Sequence, residues 1–453
     1  MNSRLGKRQL LTFAGVVLLG GGVCLFVIQR FGRQPQGPSQ RLMSDSGEEP
    51  ISLVVCSVNS ARRSALRNAS LASSIVNALP PRVDVILAVN DPRAFSVARN
   101  PRPDRVHFLE LTSETSITIW PQDPFVVLRD EGGKCCLLVS RDFKRVKDRE
   151  MAMQLGRFLG WPQRASTLSF EGGNIVSDDS WAFIGANTIR QNALELERPE
   201  AWVLKEFEAE LGKRVLVIGP VPQPIGHIDM MLTPLGGKKI LLADPAWGAR
   251  LAEQELNQSP DSVEAFEKSC ERMFLGAPGI VSLRYSTGKV VKPPEVVGET
   301  RSAIEHSKGI AGHLDRLAAN LSARGYEVHR VPYLCVPLPE MPTTRPDTRP
   351  ARAETRGATE PRDQASMGYP ELTYNNVLLE TVDGRRIVYL PQYGWDTLDR
   401  TSREIWGKLV DDVTLVNGFA VCAMYGGSLR CCTKVLARGA RSAIPPRPDS
   451  STP

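Results

Sequence analysis

The stretch 226–246, GHIDMMLTPLGGKKILLADPA, joins a polar motif to an apolar segment, a Gly-Gly turn and a second apolar segment. Two short apolar segments separated by a glycine turn predict a pair of antiparallel strands. Four further stretches begin in the same order: WPQDPFVVLRDEGGKCCLLVS at 120–140, EGGNIVSDDSWAFIGANTI at 171–189, YNNVLLETVDGRRIVYLPQYG at 374–394 and YGGSLRCCTKVLA at 425–437. This likeness predicts an internal repeat of about five units around an axis, each with its polar motif at the same end.

Helix candidates lie between and beyond these strand segments. They cover 146–159, 201–211, 262–273, 305–323 and 401–410. Strands that alternate with helices along the chain indicate an α/β fold.

The composition is that of a globular protein. Of 453 residues, 42% are hydrophobic and 23% are charged, which excludes a wholly disordered chain. The net charge of +6 comes from 56 basic and 50 acidic residues without a long basic block, so we expect no nucleic-acid partner. The nine cysteines are irregularly spaced and include no C-x-x-C pair, which signals neither a zinc ribbon nor a disulfide framework. We therefore expect no metal and no cofactor.

The N-terminal region predicts a membrane anchor. Residues 10–28 form an apolar run long enough to cross a bilayer as a helix, and Arg4, Lys7 and Arg8 precede it. We expect residues 1–33 to form an uncleaved signal anchor. The chain would then be held at a membrane with its catalytic domain outside the cytoplasm, in the periplasm or the extracellular space.

Three polar segments frame the folded domain. Residues 34–50 have the composition of a flexible tether, and residues 439–453 that of a disordered tail. Between them, 51–438 is expected to form one catalytic domain. The Pro-, Arg- and Thr-rich stretch 337–369 predicts a disordered insertion within that domain.

The polar starts of the repeated stretches hold the candidate functional residues, which are Asp123, Glu171, His227, Asp229 and Cys431. Taken singly, Asp123 could be a turn residue before proline, and Glu171 could cap the glycine turn. His227 and Asp229 lie two residues apart, so on a strand both would point to one face. Burying an imidazole and a carboxylate together is costly without a purpose, which favours a functional pair.

The adjacent Cys431 and Cys432 allow two interpretations. Both could be buried small apolar residues, a common fate of free cysteine. If they lay on a strand, one would face a cavity while its neighbour packed in the core.

Four motifs together resemble the pentein, or guanidino-group-modifying, superfamily, which includes arginine, agmatine and peptidylarginine deiminases and the amidinotransferases. They are QDPF at 122–125, EGGN at 171–174, GHIDMM at 226–231 and GGSLRCCT at 426–433. The resemblance covers most of 51–438 and implies a five-fold pseudo-symmetric α/β propeller. It also implies that Cys431 is the catalytic nucleophile and that Cys432 faces the core.

The same resemblance implies roles for the other candidates. Asp123 and Asp229 would grip the planar guanidinium, and His227 would act as the general acid and base. Glu171 would orient His227 or the substrate. Trp120, Asn174 and Arg430 are further candidates for substrate binding, although Arg430 could equally be structural.

The expected reaction is the hydrolysis of a guanidino group to a ureido group, with loss of ammonia through a covalent thiouronium intermediate on Cys431. The substrate would be a small guanidino compound or an arginine side chain of a peptide. Two alternatives stay open on the same fold: an amidinotransferase and a non-catalytic binding protein. A scaffold that contacts acidic partners through the Arg-rich insertion is a third. The sequence does not predict an oligomeric state.

Overall fold

A computed structural model describes residues 17–19, 22–24, 40–58, 65–90, 103–111, 117–275, 283–284, 290–291, 296–336 and 369–439. The chain divides into two compact units, Met1–Ser39 and Gln40–Pro453. The predicted insertion lies outside the described residues up to residue 368, and so does the predicted tail from residue 440.

The first unit contains two short strands, Val17–Leu19 and Gly22–Cys24, which pair in antiparallel register. The predicted helix at 10–28 is therefore not supported, and its other residues lie outside the described ones. Glycine is a poor helix former, and the sequence holds three consecutive glycines in the middle of this run. No helix among the residues that the structure describes is long and apolar enough to span a bilayer. The membrane anchor and the extracytoplasmic location stay predictions.

Five sheets in the described part of the second unit repeat one order: an antiparallel pair, one to three helices, and a strand parallel to the second of the pair. Their strands are Phe125–Arg129, Cys135–Val139 and Gln163–Ala165; Ile175–Ser177, Trp181–Gly185 and Arg214–Ile218; Leu232–Gly236, Lys239–Asp244 and Glu327–Leu334; Leu378–Val382, Arg385–Pro391 and Asp412–Val416; and Lys434–Arg438, Ile51–Val58 and Asp84–Val89. Edge strands Arg41–Leu42, Val106–Glu110 and Leu372–Thr373 extend three sheets, and Leu283–Arg284 pairs separately with Val290–Val291. The α/β class and the repeated strand pairs are as predicted.

The fifth sheet joins the two ends of the second unit. Lys434–Arg438 pairs with Ile51–Val58 in antiparallel register, and the next strand, Asp84–Val89, runs parallel to the latter. The last predicted stretch, at 425–437, is thus only the start of a unit whose remaining strands come from the beginning of the domain.

The helices of the described residues are Ala65–Ala78, Val146–Leu159, Ala186–Glu195, Glu200–Leu211, Pro245–Gln258, Pro260–Leu275, Thr300–Ala323, Asp396–Trp406 and Ala420–Ala423. Three predicted helices agree with these bounds to within two residues, and the other two begin five residues earlier than predicted, at Thr300 and Asp396. Pro245–Gln258 was not predicted. Its start carries clear signals, because Asp244 accepts a hydrogen bond from Trp247 N at 2.8 Å and proline occupies the first turn.

Residues 40–50 correct the predicted tether. Arg41–Leu42 pairs with Leu128 and Arg129 at the edge of a sheet, and Asp45 accepts a hydrogen bond from Arg430 at 3.1 Å. Ser46 is fully buried. The polar composition of this segment therefore reflects ion pairs and turns of the folded domain rather than a solvated linker, and the packed domain begins at residue 40.

Candidate active site

The polar motifs lie on tight turns immediately before the strand pairs. Gly172–Asn174 and Ile228–Met230 are single 3₁₀ turns that pack against each other. The prediction of a strand for His227 and Asp229 is wrong, since the following strand begins only at Leu232. Cys431 and Cys432 also lie on a turn, in which Cys432 N donates to Ser428 O at 3.0 Å. Turns bring these side chains together with a geometry that strand alternation would not give.

His227 is held between two carboxylates. Its Nε2 lies 2.7 Å from Glu171 Oε2, and its Nδ1 lies 3.9 Å from Asp123 Oδ1. Gly173 provides the space for the ring, because a Cβ at this residue would lie 2.4 Å from His227 Nδ1. The predicted grouping of Asp123, Glu171 and His227 is therefore present in the structure.

Asp229 and Cys431 form the second half of the cluster. The sulfur of Cys431 lies 3.8 Å from Asp229 Oδ2, which also accepts a hydrogen bond from Arg430 at 2.7 Å. The other oxygen of Asp229, Oδ1, is buried and has no hydrogen-bond partner among the described residues. A buried carboxylate oxygen without a donor is costly, so this atom is a ready acceptor for a ligand N–H.

The two groups that would exchange protons have opposite electrostatic environments. Burial raises the pKa of Cys431 to about 12, and the carboxylate of Asp229 adds to this rise, so the thiol is neutral without a substrate. Burial opposes the protonation of His227, but Asp123, the contact with Cys431 and the bond to Glu171 outweigh it and raise the pKa of His227 well above its usual value. A cationic imidazole thus lies beside a protonated thiol.

Arg430 is fixed inside the protein rather than at a surface. Besides Asp229, its guanidinium donates to Asp45 Oδ1 and to Ile175 O, both at 3.1 Å. Burial opposes its charge, but Asp45 and Asp229 raise the pKa of Arg430. These contacts favour the structural alternative for this residue. Contact with a substrate stays a prediction.

Arg145 was missed by the sequence analysis. Its guanidinium donates to Asp123 Oδ2 at 2.5 Å and to Asp148 Oδ2 at 2.8 Å, and it lies 3.6 Å from Glu171 Oε1. One protein cation therefore neutralises carboxylates on both sides of His227. Its stretch, RDFKRVKD at 141–148, carries several charges and no motif, so nothing in the sequence distinguished this arginine.

Asn376, in the YNN motif at 374–376, links two parts of the cluster. Its Oδ1 accepts from Cys431 N at 3.0 Å, and its Nδ2 donates to Asp229 O at 3.3 Å. The neighbouring Tyr374 is anchored by a 2.7 Å hydrogen bond from its hydroxyl to Asp399 Oδ1. The YNN motif thus positions both the nucleophile and a substrate-binding candidate.

The remaining candidates lie nearby with different contacts. A Cβ on Gly427 would lie 2.4 Å from the Trp120 ring and 3.2 Å from Cys431 Cβ, so Trp120 packs against the turn of the nucleophile. Asn174 Oδ1 instead accepts from Gln223 Nε2 at 3.2 Å. Direct roles for Trp120 and Asn174 in substrate binding stay predictions.

Cys432 points away from the site. Its sulfur lies 2.9 Å from that of Cys422, and both residues belong to the main apolar core. This agrees with the predicted core-facing orientation of Cys432.

A separate cavity lies beyond Arg430. It is lined mainly by apolar residues, together with Asp45, Arg430, Lys434 and Arg438, while Cys431 and His227 are not among the residues that line it. Burial, reinforced by Arg430, lowers the pKa of Lys434 to about 7. The cavity is therefore distinct from the cluster that could carry out the chemistry.

Among the described residues, no group of three or more His, Cys, Asp or Glu side chains could hold a metal ion. The absence of a metal and of a cofactor from the reaction stays a prediction.

The comparisons with solved structures identify the fold. The agmatine deiminase of C. jejuni matches with a TM-score of 0.53 and 12% identity, over 90% of this chain and 99% of its own. The agmatine deiminase of Enterococcus faecalis matches with a TM-score of 0.53 and 14% identity, over 88% of this chain and 96% of its own. No protein-family model and no curated protein matches the sequence.

The chain therefore has the α/β fold of the guanidino-modifying pentein enzymes, as the sequence resemblance predicted. Among the matched structures, agmatine deiminases share this fold along nearly their whole length. At such low sequence identity the likeness extends to the fold alone.

Proposed function

We propose that the chain is a cysteine-dependent deiminase that converts a guanidino group to a ureido group and releases ammonia. The observation that carries the proposal is the meeting of Cys431, His227 and Asp229 in one buried cluster, in which Asp229 Oδ1 has no donor among the residues that the structure describes. A guanidinium N–H would satisfy this oxygen, and bidentate pairing with carboxylates suits the planar cation. The five repeated sheets would surround this cluster as a propeller.

The resting charges suggest how the reaction begins. Because Cys431 is a neutral thiol in the free protein and His227 is already protonated, the thiol must release its proton to solvent before it can attack. A bound guanidinium favours the thiolate by its charge, and it also relieves the repulsion between the thiolate and Asp229. The thiolate then attacks the guanidinium carbon, and a C–S bond forms.

His227 provides the proton for the first leaving group. Its raised pKa keeps it protonated at neutral pH, so it can donate to the departing nitrogen as the C–N bond breaks. Ammonia leaves, and a thiouronium remains on Cys431. The neutral imidazole then takes a proton from water, whose oxygen attacks the same carbon. Collapse of this adduct breaks the C–S bond and releases the ureido product.

The contacts of the cluster do not distinguish one guanidino substrate from another. Free arginine, agmatine, methylated arginines and arginine side chains of peptides all carry the group that Asp229 and Cys431 would recognise. Asp45 and Asp229 already hold Arg430, so Arg430 is not free for a substrate carboxylate unless these ion pairs open.

A panel of guanidino compounds tests the proposal, with ammonia and the ureido product as separate readouts. Cys431→Ala should abolish both, whereas Cys335→Ala is the matched control, because this buried cysteine contacts Ser307 and is not part of the cluster. Ammonia release that survives Cys431→Ala would contradict the mechanism. Adding acceptor amines tests the amidinotransferase alternative, since a new guanidino product would appear in place of the ureido product.

A further inference from the structure

We infer that Cys422 and Cys432 form a disulfide bond that fastens the turn of Cys431 to the helix Ala420–Ala423. The two sulfurs lie 2.9 Å apart, closer than two sulfurs that merely pack in a core. Both residues are buried, with exposed fractions of 0% and 3%.

The surroundings hold this pair in place from both sides. Cys422 lies within the short helix, where Ala423 N donates to Phe419 O at 2.9 Å and Tyr425 N to Cys422 O at 2.9 Å. Cys432 is fixed by the hydrogen bond from its N to Ser428 O. To form a bond, the two sulfurs would have to approach from 2.9 Å to about 2.05 Å, the length of an S–S bond.

Among the cysteines that the structure describes, Cys56 is a rival partner for Cys432. Cys56 lies with Cys432 on the wall of a small cavity that is otherwise lined mainly by apolar residues. The structure shows a direct sulfur contact between Cys422 and Cys432, and it shows no such contact between Cys56 and Cys432. The geometry therefore selects Cys422.

The bond would form by exchange with a small disulfide such as oxidised glutathione. The two thiols give up two protons and two electrons, one S–S bond forms, and the bond of oxidised glutathione breaks to give two molecules of reduced glutathione. Burial and the neighbouring Cys422 raise the pKa of Cys432 well above its usual value, so exchange in the folded protein is slow. We expect the bond to form during folding and to be shielded from reductants afterwards.

The bond leaves Cys431 as the free thiol of its turn. Neither Cys422 nor Cys432 takes part in the proposed reaction, so the inference stands or falls on its own chemistry. Disulfides persist in oxidising compartments, which is where the predicted export would bring the domain.

Tryptic mapping tests this pairing directly. The full chain is refolded with reduced and oxidised glutathione, free thiols are alkylated under denaturing conditions, and the protein is digested without reductant. Cleavage after Lys408, Arg430 and Lys434 gives one peptide with Cys422 and a second with Cys431 and Cys432. We expect these two peptides to be joined.

Cys431→Ala resolves which sulfur of the second peptide is bonded, since the link must persist in this variant. Cys432→Ala must lose it. Cys335→Ala is the matched control, because this buried cysteine contacts Ser307 and should leave the link intact. The refolded oxidised protein should also melt about 5 °C higher than the same protein reduced under denaturant and refolded with reductant. Full alkylation of Cys422 and Cys432 in the refolded wild type, or a link from Cys432 to Cys56, would overturn the inference.

Discussion

Arg430 donates a 2.7 Å hydrogen bond to Asp229 Oδ2 in a region where neither side chain is more than one-tenth exposed. The same carboxylate oxygen lies 3.8 Å from the sulfur of the candidate nucleophile, Cys431. Asp229 Oδ2 therefore contributes both to the stability of the fold and to the environment of the thiol. A change that alters the charge of Asp229 will affect both the folding free energy and the reactivity of the thiol.

Arg430→Met should lower the free energy of unfolding by about 3–5 kcal/mol, because it leaves the buried Asp229 and the half-buried Asp45 without their shared cation. Urea unfolding measures this difference. Arg385→Met is the matched control: this side chain is 65% exposed and pairs with Asp412, so its loss should cost less than about 1 kcal/mol. Equal destabilisation by the two variants would contradict the role given to burial.

Asn376→Ala should lower kcat by about a hundredfold, because Cys431 N and Asp229 O lose the side chain that positions them. The adjacent Asn375 is a control with a different expected outcome. It donates to Leu241 O at 2.8 Å and to Thr233 Oγ1 at 3.1 Å, away from the cluster. Asn375→Ala should cost about 1–3 kcal/mol of stability while the folded fraction keeps its kcat. The role of Asn376 is disproved if both variants lose only stability.

Gly173→Ala should reduce activity by about a hundredfold, since its Cβ would lie 2.4 Å from His227 Nδ1 and would displace the imidazole. Steady-state kinetics on the best substrate of the panel measures the change. In the helix Thr300–Ala323, Gly309 has open space around its Cβ position. Gly309→Ala should leave activity unchanged and add up to about 1 kcal/mol of stability. Full activity of Gly173→Ala would show that His227 is not confined as described.

The rate should rise with pH through neutrality. The thiol of Cys431 has a pKa raised to about 12, so a higher pH increases the thiolate fraction, while the raised pKa of His227 keeps the imidazole protonated. We expect kcat/KM to increase from about pH 6 to about pH 9. Glu171→Gln removes a carboxylate that supports the imidazolium, so the decline at alkaline pH should begin earlier. A wild-type optimum at or below about pH 6 would contradict this assignment.

Lys434 should make stability depend on pH independently of the reaction. Its pKa falls from 10.5 to about 7 on folding because burial disfavours the ammonium. Between these values the unfolded chain binds more protons than the folded one, so folding stability rises with pH. Lys434→Met should therefore exceed the wild type in stability by a larger margin near pH 7 than near pH 10. Urea midpoints across this range measure the margin, and a margin independent of pH would show that Lys434 stays charged.

The sequence predicted which residues form the cluster better than it predicted the charged residues that surround them. Asp123, Glu171, His227, Asp229 and Cys431 stood out because reactive residue types recurred at the polar start of each repeated stretch. Arg145 did not, since an arginine in a charged segment has no local pattern that marks burial. Asp45 was likewise hidden in a polar stretch whose ion pair with Arg430 depends on residues far along the chain. Patterns read along the sequence do not show which distant segments come into contact.

The turns show a related limit. The alternation rule for strands suggested that His227 and Asp229 lie in one cluster and that Cys431 and Cys432 point apart, and the structure shows both arrangements. The backbone achieves both through 3₁₀ and tight turns instead. A short polar motif before an apolar run has the same sequence pattern whether the motif continues the strand or forms a turn before it. The packing of one turn against another decides which of these two structures forms.

The pairing of Lys434–Arg438 with Ile51–Val58 means that this sheet can form only after residue 438 has been synthesised. During translation, Ile51–Val58 is synthesised long before its partner strand Lys434–Arg438. Cys431 is synthesised only three residues before that partner strand begins. Carboxylates and imidazole can therefore assemble on the nascent polypeptide without a nucleophile among them. A chain that stops anywhere before residue 431 lacks the candidate nucleophile, so under the proposed function it would be inactive.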